Sequence, residues 1–365
     1  MNPLDLCGGS ATLANVNSPL AASSGDPTVV RRIIAATILL CLLALAPAED
    51  ATSKVRQKLY VTNSAGNDVT VIDVATNRVL GRIEVGPHPH GIAVPASEDV
   101  IYVTIEGSKP GRLVTIDAHS DKVVRSMDVG PAPNQLAVTP DGKFAYVPCS
   151  DGYWDVVDLK EQKVAKRIST GGRPHNTLCP PDGKHMYLAP MGSPKKVTIV
   201  DATTHEPVGT IPFSDVVRPI ALAKDEKRLY ANVDGLIGLE VADIDRREMI
   251  QRIPAELATE LRKAASRSHG LAIRPDQKEI WECDVEHKEV HVYDITGDKP
   301  KQMATIPIGS QVYWLTFRPD GKVCYVSARG GNQVAVVDTE SHKIIARVPV
   351  GKEPKRLLVV NVPEK

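Results

Sequence analysis

From Lys58 to the C-terminus the chain alternates short apolar runs with polar breaks. One stretch reads LYVTN (Leu59–Asn63), VTVID (Val69–Asp73), RVLGRIEVG (Arg78–Gly86) and HGIAV (His90–Val94). Each run is rich in β-branched residues, alternates in polarity and is bounded by Gly, Asn, Asp or Pro, which is the pattern of a strand. Together they predict four antiparallel strands joined by tight turns.

The unit then repeats. An aromatic marker recurs at Tyr60, Tyr102, Tyr146, Tyr187, Tyr230, Trp281 and Tyr325, at intervals of 42, 44, 41, 43, 51 and 44 residues. A strand-ending aspartate keeps step at Asp73, Asp117, Asp158, Asp201, Asp243, Asp294 and Asp338. PDG turns follow the inner run at Pro140–Gly142, Pro181–Gly183 and Pro319–Gly321, a composition suited to a tight β-turn. A period of this length with four strands per copy predicts an all-β fold, a seven-bladed β-propeller of four-stranded antiparallel blades. An irregular sandwich would not hold both markers in register.

The string LYVTN…VTVID…VLGRIEVG…PHGIAV resembles the YVTN repeat of exported bacterial and archaeal seven-bladed propellers, from Lys58 to about Val360. The resemblance implies that HGIAV is the innermost strand of a blade, LYVTN the second, VTVID the third and RVLGRIEV the outermost. MYLAP (Met186–Pro190) and LYANV (Leu229–Val233) depart most from the pattern. The first copy begins at its second strand, and the chain ends on KRLLV (Lys355–Val359), which aligns with HGIAV. The C-terminal strand is therefore expected to complete the first blade and close the ring, removing an exposed sheet edge.

The N-terminal part reads differently. Arg31 and Arg32 precede the apolar run IIAATILLCLLALA (Ile33–Ala46), and Ala46-x-Ala48 leads into Glu49 and Asp50. Basic residues, a short apolar core and a small-residue cleavage site read as a secretory signal peptide over residues 1–48, with translation starting near Val29. The run is short for a membrane span of about 20 residues. The organisation expected is thus a leader followed by a single propeller over 49–365, periplasmic or secreted, without a stable membrane span after cleavage. Four cysteines remain beyond the leader, Cys149, Cys179, Cys283 and Cys324, at spacings that suit isolated thiols rather than a disulfide framework or a zinc site. Lys+Arg and Asp+Glu both number 44, so no overall field recruits nucleic acid.

Candidate chemistry lies where the innermost strands begin, at the mouth of a propeller's channel. Aligning the copies puts Lys355, His90, Asn134, His175, Arg218, His269 and Tyr313 in a polar ring, followed by Arg356, Gly91, Gln135, Asn176, Pro219, Gly270 and Trp314. Polar groups converging on a concave mouth are a default binding site, and His90, Asn134, His175, Arg218, His269, Tyr313, Trp314, Lys355 and Arg356 are its candidate residues. His90, His175 and His269 fall in alternate blades and could hold a divalent metal. Lys355 and Arg218 oppose a cation and favour an anion. His88 falls on the loop rim as a solvated side chain. The surplus in the fifth interval, Pro254–Ser268, has helical spacing at Leu257, Leu261 and Ala264 and predicts a short helix beside the ring.

These features support a binding or scaffold module for a small anionic ligand or a periplasmic or cell-surface protein. Two alternatives use the same ring: a metal-dependent lyase or lactonase, and a tetrapyrrole carrier. The latter rests on a distant resemblance to cytochrome d1-type propellers, whose eight blades count against it. No G-x-S-x-G, H-E-x-x-H, P-loop, dinucleotide-binding or C-x-x-C-H motif is present.

Overall fold

The computed structural model describes residues 55–257 and 268–363. The leader at 1–48 lies outside the described residues, as does most of the expected helix within 254–268. Among the described residues no helix is long and apolar enough to cross a membrane. Seven four-stranded antiparallel sheets form the seven blades of a propeller, as the repeat predicts.

The strand order within each sheet follows the expected one. In the first blade the C-terminal strand Pro354–Pro363 lies innermost, followed by Val55–Asn63, Asp68–Asp73 and Arg78–Glu84. The closing pair runs from Val55 opposite Pro363 to Asn63 opposite Pro354. Outer strands are largely exposed, whereas second and third strands are buried. Apolar side chains gather into seven clusters, each shared between two adjacent blades. The core is therefore a set of layers between blades, and a blade buries its faces only against its neighbours.

The repeat markers have identifiable work. The strand-ending aspartates shape the turn into the outer strand: Asp73 Oδ1 accepts from the Thr76 N–H at 2.9 Å, and Asp117, Asp201 and Asp338 accept from Ser120, Thr204 and Ser341 at 2.7, 2.7 and 2.8 Å. This is an Asx turn, in which a short carboxylate replaces a backbone acceptor. The marker aromatics are buried in the interblade layers.

The hydroxyl of the YVTN-like run joins blades. Thr62 Oγ1 accepts from the Arg356 N–H of its own blade at 3.1 Å and donates to His90 O of the next at 3.0 Å. Thr104 repeats this with the Gly91 N–H and Asn134 O, both at 2.8 Å. Ser327 does so with the Trp314 N–H and Lys355 O, both at 2.9 Å. These latches pull adjacent inner strands together at the level of the ring. Gly91 shows how close they come, because a Cβ there would lie 2.5 Å from Asn134 O.

All four cysteines beyond the leader are free, with Cys149, Cys283 and Cys324 buried and Cys179 half-buried.

Candidate functional site

Six inner strands carry an irregularity where the ring positions fall. The register breaks between Pro89 and Ile92, Pro174 and Asn176, Val217 and Ile220, Ser268 and Leu271, Val312 and Leu315, and beside Pro354 in the closing strand. A bulge bends a strand and re-aims its side chains. Repeated in six of the seven blades, it turns the residues at the start of those inner strands toward the axis.

The ring does not form an open mouth. His90 and His175 are 3% exposed, His269 and Asn134 are 5%, and Arg356 is fully buried. The side chains close the channel by packing on one another. The His175 and His269 rings meet edge to face with centroids 5.7 Å apart, and His269 stacks on Tyr313 at 4.0 Å. On the other side, His90 Nδ1 lies 2.7 Å from Glu106 Oε2, 3.2 Å from Asn134 Nδ2 and 3.3 Å from Lys355 Nζ. The strongest of these contacts sets Nδ1–H as donor to the carboxylate and leaves His90 Nε2 buried without a partner. Burial, reinforced by Lys355, holds the His90 pKa down to about 4 against the pull of Glu106. His175 and His269 are likewise driven well below the ordinary imidazole range, chiefly by burial. All three imidazoles are neutral at pH 7.

The three histidines do not bring their nitrogens together as a ligand set. Among the described residues, the group of His, Cys, Asp and Glu side chains with ligand atoms all within 4.8 Å of one another is Asp284, His287 and Glu289, on a different loop. There His287 Nδ1 and His291 Nε2 already contact Asp284 Oδ2 at 2.7 and 3.2 Å.

The cations divide into paired and unpaired. Arg218 holds both oxygens of Asp234 at 2.5 and 2.8 Å. Lys355 Nζ lies 3.9 Å from Glu106, and burial lowers its pKa to about 8. Among the described residues Arg356 has no carboxylate partner. Its guanidinium lies 3.4 Å over the Trp314 ring and donates through Nη2 to Asn176 Oδ1 at 3.0 Å, while Nε and Nη1 are buried without partners. Burial pushes its pKa below the ordinary range, yet a guanidinium remains charged at neutral pH. Asn176 passes the contact on, with its Nδ2 2.6 Å from His175 Nδ1.

Below this layer lies a cavity of about 440 Å³, running along the inner strands toward their far ends. Arg356, Asn176, Gln135 and Trp314 stand at its inner end, and Arg356 is the only charged residue lining it among the described residues. Its wall includes Gln277, in the turn that follows an inner strand. The cavity therefore opens on the face opposite the loops where a mouth was expected. His88 sits on the loop rim as predicted, exposed and in a left-handed conformation (φ 54°), with its Nδ1 2.8 Å from Ser64 O.

Sequence alignment thus places the ring members together, including the consecutive pairs Tyr313–Trp314 and Lys355–Arg356. It misses Glu106 and Asn176 as their partners. Glu106 carries no repeat marker in the sequence, and Asn176 is only one of the residues that follow the ring positions.

A family model described as the cytochrome D1 heme domain matches residues 134–234. No curated protein matches the chain. Among solved structures, Kuenenia stuttgartiensis hydrazine synthase is similar at 22% identity and a TM-score of 0.65, covering 75% of this chain and 95% of that one. A periplasmic gluconolactonase of Pseudomonas aeruginosa is similar at 16% identity and a TM-score of 0.71, covering 85% and 100%. The dihydro-heme d1 dehydrogenase NirN, in complex with DHE, is similar at 16% identity and a TM-score of 0.61, covering 87% and 74%. At these identities the likeness is one of fold.

Proposed function

We propose that this chain is an exported propeller of the YVTN type that acts as a binding module, periplasmic or secreted, for a small anionic ligand held in the central channel. The observation that carries the reading is Arg356, a fully buried guanidinium with two unpartnered nitrogens and, among the described residues, no counter-ion, standing at the end of a cavity. A buried charge is costly unless it is paired; Nε and Nη1 are covered in this structure, so an anion entering the cavity meets them by displacing the side chains over them and then supplies charge-assisted hydrogen bonds.

The resemblances to lactonase-type and haem-d1 propellers raise two other uses of the ring. An iron-bound tetrapyrrole needs an imidazole presented at an open face, and none of the three has one. A metal-assisted hydrolase needs ligand atoms that converge; His90 Nε2 and His269 Nδ1 are unpartnered, yet the three imidazoles do not bring their nitrogens within ligand distance of one another. The residues present fit neither group.

Thermal unfolding at neutral pH with sodium octanoate and with inorganic phosphate tests the proposal. A bound anion at 100 times its Kd should stabilise the protein by about 2.7 kcal/mol. Arg356→Met should fold, be about 1–4 kcal/mol more stable than the unliganded wild type, as when buried ionic groups give way to apolar ones, and lose the response to both anions. A variant that still responds as wild type does would overturn the assignment.

A further inference from the structure

We infer that the channel's ligand is a monocarboxylate with an apolar body, inserted carboxylate-first from the face opposite the histidine ring so that its head meets Arg356 and its tail lies along the aliphatic walls. This rests on the reading of Arg356 as an anion anchor and adds the class of molecule it anchors.

Three features of the cavity select that class. The first is charge: with Arg356 as the only charged lining residue among those described, the site matches one negative charge and offers no second cation for a dianion. The second is the wall. Val94, Leu178, Leu222, Ile273 and Leu358 line the cavity between its floor and its opening, and each is half-buried, leaving part of its surface free to meet a ligand. Thr177, Thr316 and Gln277 line the cavity as well, so these five side chains form an aliphatic strip in a mixed wall, and about 440 Å³ falls within the range of sites for small molecules. The third is polarity along the axis. Asn176 and Gln135 stand with Arg356 at the inner end, and Trp314 holds the guanidinium flat from one side. A polyhydroxylated acid would set several of its hydroxyls against these aliphatic side chains, with Thr177, Thr316 and Gln277 as the side-chain partners along the wall that could replace the water they lose.

Among the described residues the loop face offers no such path. Its ring is closed by His175 and His269 in contact, by Tyr313 on His269 and by the His90–Glu106 pair.

Isothermal titration of the full mature protein with butanoate, hexanoate and octanoate, and with gluconate and inorganic phosphate, tests the inference. Affinity should rise about fourfold for each added methylene that enters the cavity, and the protein's tryptophan fluorescence should change on octanoate binding in the wild type but not in Trp314→Phe. Leu178→Gln, which leaves the guanidinium in place, should weaken octanoate at least tenfold and leave phosphate unchanged. If gluconate or phosphate binds through Arg356 as tightly as octanoate, with no dependence on chain length, the apolar class is wrong while the anion anchor stands. If no anion binds the folded protein, both readings fall.

Discussion

A chain that stops at Glu353 is expected to lose cooperative folding altogether. The strand it lacks, Pro354–Pro363, pairs with Val55–Asn63 along nearly its whole length. Val360 and Val362 belong to the layer between the first and second blades, and Leu357 and Val359 to the layer between the first and the last. Burying a large aliphatic side chain contributes roughly 1.5–3 kcal/mol, so these four contribute on the order of 6–12 kcal/mol. That is comparable to the entire stability of an ordinary domain, about 5–15 kcal/mol. The loss also opens the ring, because the Arg356 N–H to Thr62 latch and the Ser327 to Lys355 O latch both go with the strand. Calorimetry should show no cooperative transition for the truncated chain, and near-ultraviolet circular dichroism should be flat. A melting temperature equal to that of the full chain would refute the closure as a source of stability. Val360→Asp, a single change in the same strand, should lower the melting temperature sharply for the same reason.

That closure is legible in the sequence because it follows from counting strands: a first copy missing its inner strand and a last run that matches one. The ring is legible for a related reason. Every copy enters its inner strand at the same register, so alignment alone gathers His90, His175, His269 and Lys355 around one axis. What alignment does not carry is how side chains of different length fill a circle. His269 on Tyr313 and His175 against His269 close the ring that was expected to be open. Whether a cation is paired is also a matter of distance through space. Arg218 in the ring and Arg356 at the following position are both read as cations near the mouth, yet one meets Asp234 on its own blade and the other meets only Asn176 and an indole face. The threonine of the YVTN-like run is visible as a repeated letter, and its role appears only once the neighbouring blade supplies the carbonyl it bonds.

The second large effect expected is a steep loss of stability between pH 6.5 and pH 4. His90 has a folded pKa of about 4 and an unfolded value of 6.5, while His175 and His269 lie well below the same unfolded value. In this interval the unfolded chain binds protons at all three positions and the folded chain does not, so stability rises with pH and falls as acid is added. His90 alone accounts for roughly 3 kcal/mol by pH 4, because each tenfold difference in proton affinity between the two states is worth about 1.36 kcal/mol. Three such groups together give a slope of at most about 4 kcal/mol for each step of one in pH. His291 acts the other way. Its contact with Asp284 raises its pKa against the effect of burial, so it adds stability below its unfolded value that is lost as pH rises through the folded one. That contribution is already complete below the unfolded value, so His291 does not offset the fall between pH 6.5 and 4. Glu106, with its pKa brought to about 2 by His90 and Lys355 against the effect of burial, loses its contribution only as pH falls from 4.5 toward 2. Between pH 6.5 and 5 the imidazoles therefore dominate the change. Urea denaturation at pH 7.0, 6.0 and 5.0 should show the midpoint falling at each step, and His269→Gln should flatten the fall by about a third. A midpoint constant from pH 7 to pH 5 would mean that the ring imidazoles are hydrated in the folded protein, and that the channel is open where these contacts close it.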